Sequence, residues 1–196
     1  MIADADKNFF NKIIMEDETW CLWPRNKATW VLNGWVRHPI GQKKLKFHRF
    51  SIKNMLIIFF DSQGIVHKEF VPEGKTVNTE FYKGVMDRLL KCIQGVRPAA
   101  FCSRDLFLLH DNAPTHKAAR VCQFFTPKNV TTLYHLLYSP DLSLSDYFLF
   151  PKLKMKLRGL HFADVAEIQE AVTDELKKVQ KKRNFWQLFR NCTSKE

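Results

Sequence analysis

The chain is 196 residues long, 45% hydrophobic and 26% charged, with seventeen Phe and five Trp. That is ordinary globular usage and enough apolar material for one large α/β domain, which excludes a disordered, collagenous or low-complexity chain. Thirty-one Lys and Arg against 20 Asp and Glu leave a net charge of +11, which favours a polyanionic partner, nucleic acid before a membrane.

In chain order, residues 3–14 read as a short helix with Phe9, Ile13 and Ile14 on a common side. Met15 to Trp23 reads as a strand on which Asp17, Thr19 and Cys21 share one face. Residues 25–60 contain Arg25, Lys27, Arg37, Lys43, Lys44, Lys46, Arg49 and Lys53, with no acidic residue, and Trp30, Trp35 and His48 are interleaved. Pro39 and Gly41 make the middle a loop. The stretch reads either as a phosphate-contacting arm with stacking aromatics or as a surface loop of snorkelling lysines.

Met55–Phe60 is a buried strand by its continuous apolar run. Asp61-Ser62-Gln63-Gly64 is a turn in which glycine supplies a positive φ, and Ile65–Val71 is the hairpin partner. Apolar residues at 81, 85, 89 and 93 predict an amphipathic helix from Val77 to Ile93, stopped by Gly95 and Pro98. Leu106–Leu109 is a second buried strand, ending at His110-Asp111. Ala113 to Phe125 reads as a helix ended by Pro127, and Val130–Leu133 as a short strand. A turn-rich stretch, 134–146, precedes a helical segment interrupted at Pro151. The last helix starts at Asp164 with a capping-box-like Glu167 and runs to about Lys182. Three strands in succession favour an antiparallel start, and the helix-separated strands favour parallel additions. The expected fold is one mixed five-stranded sheet with helices on both faces.

The five cysteines, Cys21, Cys92, Cys102, Cys122 and Cys192, are odd in number and form no C-x-x-C pair. A disulfide framework or zinc ribbon is disfavoured and a reducing compartment expected. The longest apolar run, Met55–Phe60, is far short of the roughly 20 residues of a membrane span. Residues 1–15 carry no signal-peptide pattern, so an intracellular protein is expected.

Three aspartates stand at element ends: Asp17 on the first strand, Asp111 closing the strand 106–110, and Asp146 opening a helix. Three converging carboxylates repel unless cations neutralise them, and hard oxygen ligands suit Mg²⁺ or Mn²⁺. Two such ions support phosphoryl transfer. Each aspartate also has a plainer reading: Asp17 as a solvated strand residue, Asp111 as a cap for a helix at 112, Asp146 as a first-turn acid. His110 and His116 suggest zinc only weakly, since no usable Cys joins them.

His110-Asp111-Asn112-Ala113-Pro114-Thr115-His116 closely resembles the His-Asp-Asn-Ala-x-x-His signature of mariner-type transposases. Tyr138-Ser139-Pro140-Asp141-Leu142-Ser143-Leu144-Ser145-Asp146-Tyr147 resembles their Tyr-Ser-Pro-Asp-Leu-x-Pro-Ser-Asp-Tyr. The 34 residues between Asp111 and Asp146 match the family spacing. Asp17-Glu18-Thr19-Trp20 and the hairpin exit Phe70 to Asn78 match as well, and the likeness runs from about residue 8 to 182. Departures are Leu136-Leu137 for a frequent Pro-Pro, Leu144 for a usual Pro, and Met15-Glu16 for a usual Thr-Gly, which adds a carboxylate beside Asp17.

The resemblance implies a ribonuclease-H-like catalytic domain over residues 1–183. Within it, a basic insertion at about 25–53 corresponds to the clamp loop. It implies metal-dependent DNA cleavage and strand transfer in cut-and-paste transposition, with Asp17, Asp111 and Asp146 as catalytic metal ligands for two Mg²⁺ or Mn²⁺ ions. DNA is the expected partner, a homodimer the expected assembly and the nucleus the expected compartment. No membrane and no small-molecule substrate is expected. The expected DNA contacts are Arg25, Lys27, Lys43, Lys44, Lys46 and Arg49. Lys152, Lys154, Lys156 and Arg158 are further candidates, or else a solvated helix face. The family's helix-turn-helix modules have no counterpart before residue 17, so docking is expected to be sequence-independent. Residues 184–196 read as a non-native tail. One synonymous coding of the segment from Phe185, shifted in frame, encodes the family's Leu-Ala-Ala-Phe-Gln-Lys-Leu-Tyr-Glu, which suggests a frameshift near residue 183 in a truncated copy. The alternative function is a catalytically inactive remnant that only binds nucleic acid non-specifically.

Overall fold

The computed structural model describes residues 12–24, 51–98, 106–111, 113–134, 145–158, 160 and 162–181. The expectations for residues 1–11, the basic stretch 25–50, the Tyr-Ser-Pro-Asp segment before Ser145 and the tail 182–196 lie outside these residues. Strands β1 (Ile13–Pro24), β2 (Ser51–Asp61) and β3 (Gly64–Val71) come first, then helix α1 (Thr79–Val96), strand β4 (Leu106–His110) and helix α2 (Ala119–Phe125). Strand β5 (Val130–Tyr134), a π-helical turn (Ser145–Leu149), α3 (Phe150–Leu157) and α4 (Val165–Lys181) follow. The sheet order is β3-β2-β1-β4-β5. β1–β2 and β2–β3 are antiparallel, and β1–β4 and β4–β5 are parallel. The antiparallel start with parallel additions is thus the observed topology.

The sheet separates two apolar compartments, and the alternation of each strand decides which side chain enters which. Ile13, Met15 and Cys21 of β1 and Leu56, Ile58 and Phe60 of β2 pack under α3 and α4. Ile14, Ile57 and Phe59 face the other way, against α1 and α2. Residues 56–60 are therefore apolar without a break because both faces of β2 are covered: each is at most 1% exposed. Burying a side chain of this size contributes about 1.5–3 kcal/mol.

Polar groups fix the ends of these elements. Asp61 is buried, and its Oδ1 accepts the amides of Gln63 at 2.7 Å and Gly64 at 2.9 Å, while its Oδ2 accepts Arg97 Nε at 2.7 Å. Gly64 takes φ 137°, which side-chain-bearing residues avoid. Asn78 caps α1 by accepting the Phe81 amide at 2.9 Å. Asp164 does the same for α4 through the Glu167 amide, and the Glu167 carboxylate reaches back to the Ala163 amide.

Three expectations are corrected. Ile13 and Ile14 open β1 and are not the end of a helix: adjacent apolar residues there feed opposite compartments. The expected helix from Ala113 to Phe125 shrinks to Ala119–Phe125, because Ala118 is extended (ψ 137°) and residues 113–117 close a separate turn. Pro127 does not end that segment; it sits in the first turn of a short 3₁₀ helix, Thr126–Lys128, where its missing N–H costs nothing. The chain turns instead at Asn129, at φ 53°.

Candidate active site

β1 and β4 bring two of the expected aspartates to corresponding places. Met15 is paired with Leu109 in the parallel register, and Asp17 and Asp111 each stand two residues further on. Asp17 shares the face of Ile13 and Met15, the side covered by α3. Asp146 lies in the π-helical turn leading into α3 and is solvent-exposed. The neighbouring Ser145 is buried, and its hydroxyl donates to Asp17 Oδ2. The side chains of Leu149, Phe150 and Leu153 anchor this segment in the compartment under α3. The Glu18 amide donates to Asp17 Oδ1 at 2.7 Å.

Asp111 is held differently. Its Oδ1 lies 2.8 Å from His116 Nδ1 and accepts the Ala113 amide at 2.9 Å. The His116 hydrogen bond above all, then the Ala113 amide and the charges of His116 and His110, overcome burial and hold its carboxyl down at about 2. It is anionic throughout the neutral range and its side chain is 69% exposed, so this hard oxygen donor suits a divalent cation open to solvent.

A second group lies on the opposite face of β1. Glu16 is buried and accepts a hydrogen bond from the Tyr82 hydroxyl of α1. Glu16 Oε1 and Glu18 Oε1 lie 3.9 and 3.8 Å from His116 Nε2, and His116 stacks on Tyr82 with ring centroids 4.2 Å apart. Burial, only partly offset by His116 and Tyr82, raises the Glu16 carboxyl to about 8. Glu18 is also raised, again chiefly by burial. For His116, burial pulls downward, but the Asp111 hydrogen bond and the three carboxylates outweigh it and the pKa rises. Among the described residues, the sets of three ligand atoms within 4.8 Å of one another are His110–Asp111–His116 and Glu16–Glu18–His116. Asp17 and Asp146 belong to neither. The zinc reading from His110 and His116 lacked these carboxylates. Their signal in the sequence was the i, i+2 spacing of Glu16 and Glu18 on the face that carries buried Ile14.

The expected DNA contacts Arg25, Lys27, Lys43, Lys44, Lys46 and Arg49 lie outside the described residues. Lys154, Lys156 and Arg158 are exposed along α3 and Lys152 is half-buried there. Lys53, at the described edge of the basic stretch, places its ammonium 3.9 Å from the ring centroid of half-exposed Trp20.

A mixed sheet of order β3-β2-β1-β4-β5 with helices on both faces, an aspartate within the central strand β1 and another just past the end of β4, define a ribonuclease-H-like α/β fold. Residues 25–101 match the family described as "Transposase (partial DDE domain)". The Mariner Mos1 transposase of Drosophila mauritiana is 32% identical over 168 residues, 84% of this chain and 47% of that protein. The histone-lysine N-methyltransferase SETMAR of Homo sapiens is 27% identical over 173 residues, 87% of this chain and 25% of that protein. The crystal structure of the Mos1 catalytic domain superposes with a TM-score of 0.71 at 25% identity, covering 95% of this chain and 78% of that one. The Mos1 paired end complex with Mn gives 0.74 at 27% identity, covering 95% and 54%. The chain is similar to the mariner transposase Mos1 over the part that forms the Mos1 catalytic domain. It spans about half the length of the Mos1 protein and a quarter of SETMAR.

Proposed function

We propose that this chain cleaves and joins DNA strands in cut-and-paste transposition, with Asp17, Asp111 and Asp146 as ligands for two divalent cations, Mg²⁺ or Mn²⁺. The observation that carries the reading is the β1–β4 register. It ends at the Met15–Leu109 pair, with Asp17 two residues further along β1 and Asp111 just past the end of β4, while the Ser145 hydroxyl ties the turn bearing Asp146 to the Asp17 carboxylate. The related Mos1 structures support it: they include a paired-end complex with a transposon end, and complexes with Mn and with Mg. Cations bound there would activate a water or a 3′-hydroxyl and stabilise the leaving oxygen.

The chain's own residues prepare this chemistry. His116 keeps Asp111 ionised and aimed, so a hard anionic ligand is present before any cation arrives. The Glu18 amide and the Ser145 hydroxyl hold both oxygens of Asp17. The basic stretch from Arg25 to Lys53, with Lys152, Lys154, Lys156 and Arg158, supplies phosphate contacts that need no base sequence. A homodimer would bring two DNA ends together, and the nucleus is where such a substrate lies.

The test is nicking of a supercoiled plasmid with Mg²⁺ or Mn²⁺. The unaltered chain should nick, and Asp146→Asn should abolish the activity, because a neutral amide is a poor ligand for a hard cation. Equal nicking by that variant would refute the site. No nicking under any divalent ion would leave an inactive remnant that binds nucleic acid.

A further inference from the structure

We propose that Glu16, Glu18 and His116 form a second metal site, for a borderline dication such as Zn²⁺, on the face of β1 opposite Asp17. The proposal does not rest on the catalytic reading of the aspartates. Strand alternation sends Glu16 and Glu18 to the same side, and the turn after β4 delivers His116 between them. The two carboxylate oxygens stand 3.9 and 3.8 Å from His116 Nε2, and all three ligand atoms lie within 4.8 Å of one another. A tetrahedral ion with bonds near 2.0–2.1 Å separates its ligands by about 3.4 Å, so the two distances to His116 need contract by only roughly half an ångström.

Two observations separate this group from an ordinary acidic cluster. Glu16 is 96% buried, yet its Oε1, the oxygen aimed at His116 and not bonded by Tyr82, has no hydrogen-bond partner. A buried carboxylate oxygen in that state is costly unless a cation or proton meets it. The second is the far side of the imidazole. His116 Nδ1 lies 2.8 Å from Asp111 Oδ1, an ion-pair contact outside hydrogen-bonding geometry, and Nε2 is turned towards the two glutamates. With the carboxylate brought into line, carboxylate, imidazole and metal would follow the sequence by which protein metal sites fix the tautomer of a histidine ligand. Tyr82 orients Glu16 from behind in the same way. Glu18, whose side chain is 28% exposed, leaves a route for the ion and for water to complete its coordination. One imidazole with two carboxylates favours Zn²⁺ over Mg²⁺, which prefers oxygen and keeps its waters.

The experiment is a Co²⁺ titration of the full chain, stripped with chelator and held near pH 8, read by visible d–d absorption and followed by displacement with Zn²⁺. One ion, beyond any held by the aspartates, should give the intense bands of a low-coordinate site, and Zn²⁺ should abolish them. Glu18→Gln and Glu16→Gln should each weaken binding at least about tenfold, since loss of an outer-shell partner alone often costs that much. Asp146→Asn should leave the bands unchanged, which separates this ion from any held by the aspartates. Far-ultraviolet circular dichroism checks that each variant is folded. Should Glu16→Gln fail that check, the half-exposed Glu18 variant decides. Absence of the bands, equal affinity in Glu18→Gln, or loss of the bands in Asp146→Asn would each overturn the proposal.

Discussion

Replacing Glu16 by Gln converts a buried ionisable group into a permanently neutral one of the same shape, and its consequence is a change in how stability responds to pH. In the folded chain the Glu16 carboxyl titrates at about 8, against an ordinary value of 4.5. Between those two values the folded state holds a proton that the unfolded state has released, so stability must fall as pH rises. At about 1.4 kcal/mol per pH unit, Glu16 accounts for a loss of about 2–3 kcal/mol between pH 5 and pH 7, growing further towards pH 8. His116, also raised, loses its contribution as pH climbs through its folded value, so the unaltered chain carries both slopes. The glutamine oxygen still accepts the Tyr82 hydroxyl, so packing is preserved. Urea unfolding in the presence of EDTA, at pH steps from 5 to 8, reads the effect. The variant should match the unaltered chain within about 1 kcal/mol at pH 5 and exceed it by about 2–3 kcal/mol at pH 7. Parallel stability profiles would refute the argument, since they would mean that Glu16 ionises in the folded chain as it does in water.

Asp61→Ala removes the acceptor of two turn amides and the partner of Arg97, whose side chain is only 16% exposed. Breaking a buried pair on one side should cost about 3–5 kcal/mol by urea unfolding, and a loss below about 1 kcal/mol would show the turn to be held by other means. Replacing Lys43, Lys44, Lys46 and Arg49 together should weaken binding to a random-sequence duplex and flatten the dependence of log affinity on log salt. An unchanged slope would move the contact surface to Lys152, Lys154, Lys156 and Arg158.

Where a segment has one reason to be what it is, the sequence shows it plainly. The unbroken run 55–60, the Asp61–Gly64 turn and the four-residue spacing along α1 each follow from a single period, and each element lies where it was expected. Ile13-Ile14 misled because a strand covered on both faces loses its alternation and imitates a helical pair. The turn at 113–117 was hidden because Ala113, His116, Lys117 and Ala118 all tolerate a helix. What breaks it is tertiary: His116 is drawn to Asp111 and against Tyr82. Asp111 was legible through its place at a strand end. The Glu16–Tyr82–His116 cluster was not, because its members come from three elements and are joined by contacts spanning 34, 66 and 100 residues of sequence.

The π-helical turn Ser145–Leu149 governs the aim of Asp146. Such a turn carries one more residue than the α-helical pitch that follows in Phe150–Leu157. Relaxation to regular pitch would rotate everything before Leu149 around the helix axis by about 100°, the angle of a single residue. Leu149, Phe150 and Leu153 are clamped in the core, so that rotation would fall entirely on Ser145 and Asp146. Deleting one residue from this turn would therefore act as a compass error: α3 would stay in place while Ser145 and Asp146 swung round the helix axis and the Ser145 hydroxyl lost its hold on Asp17.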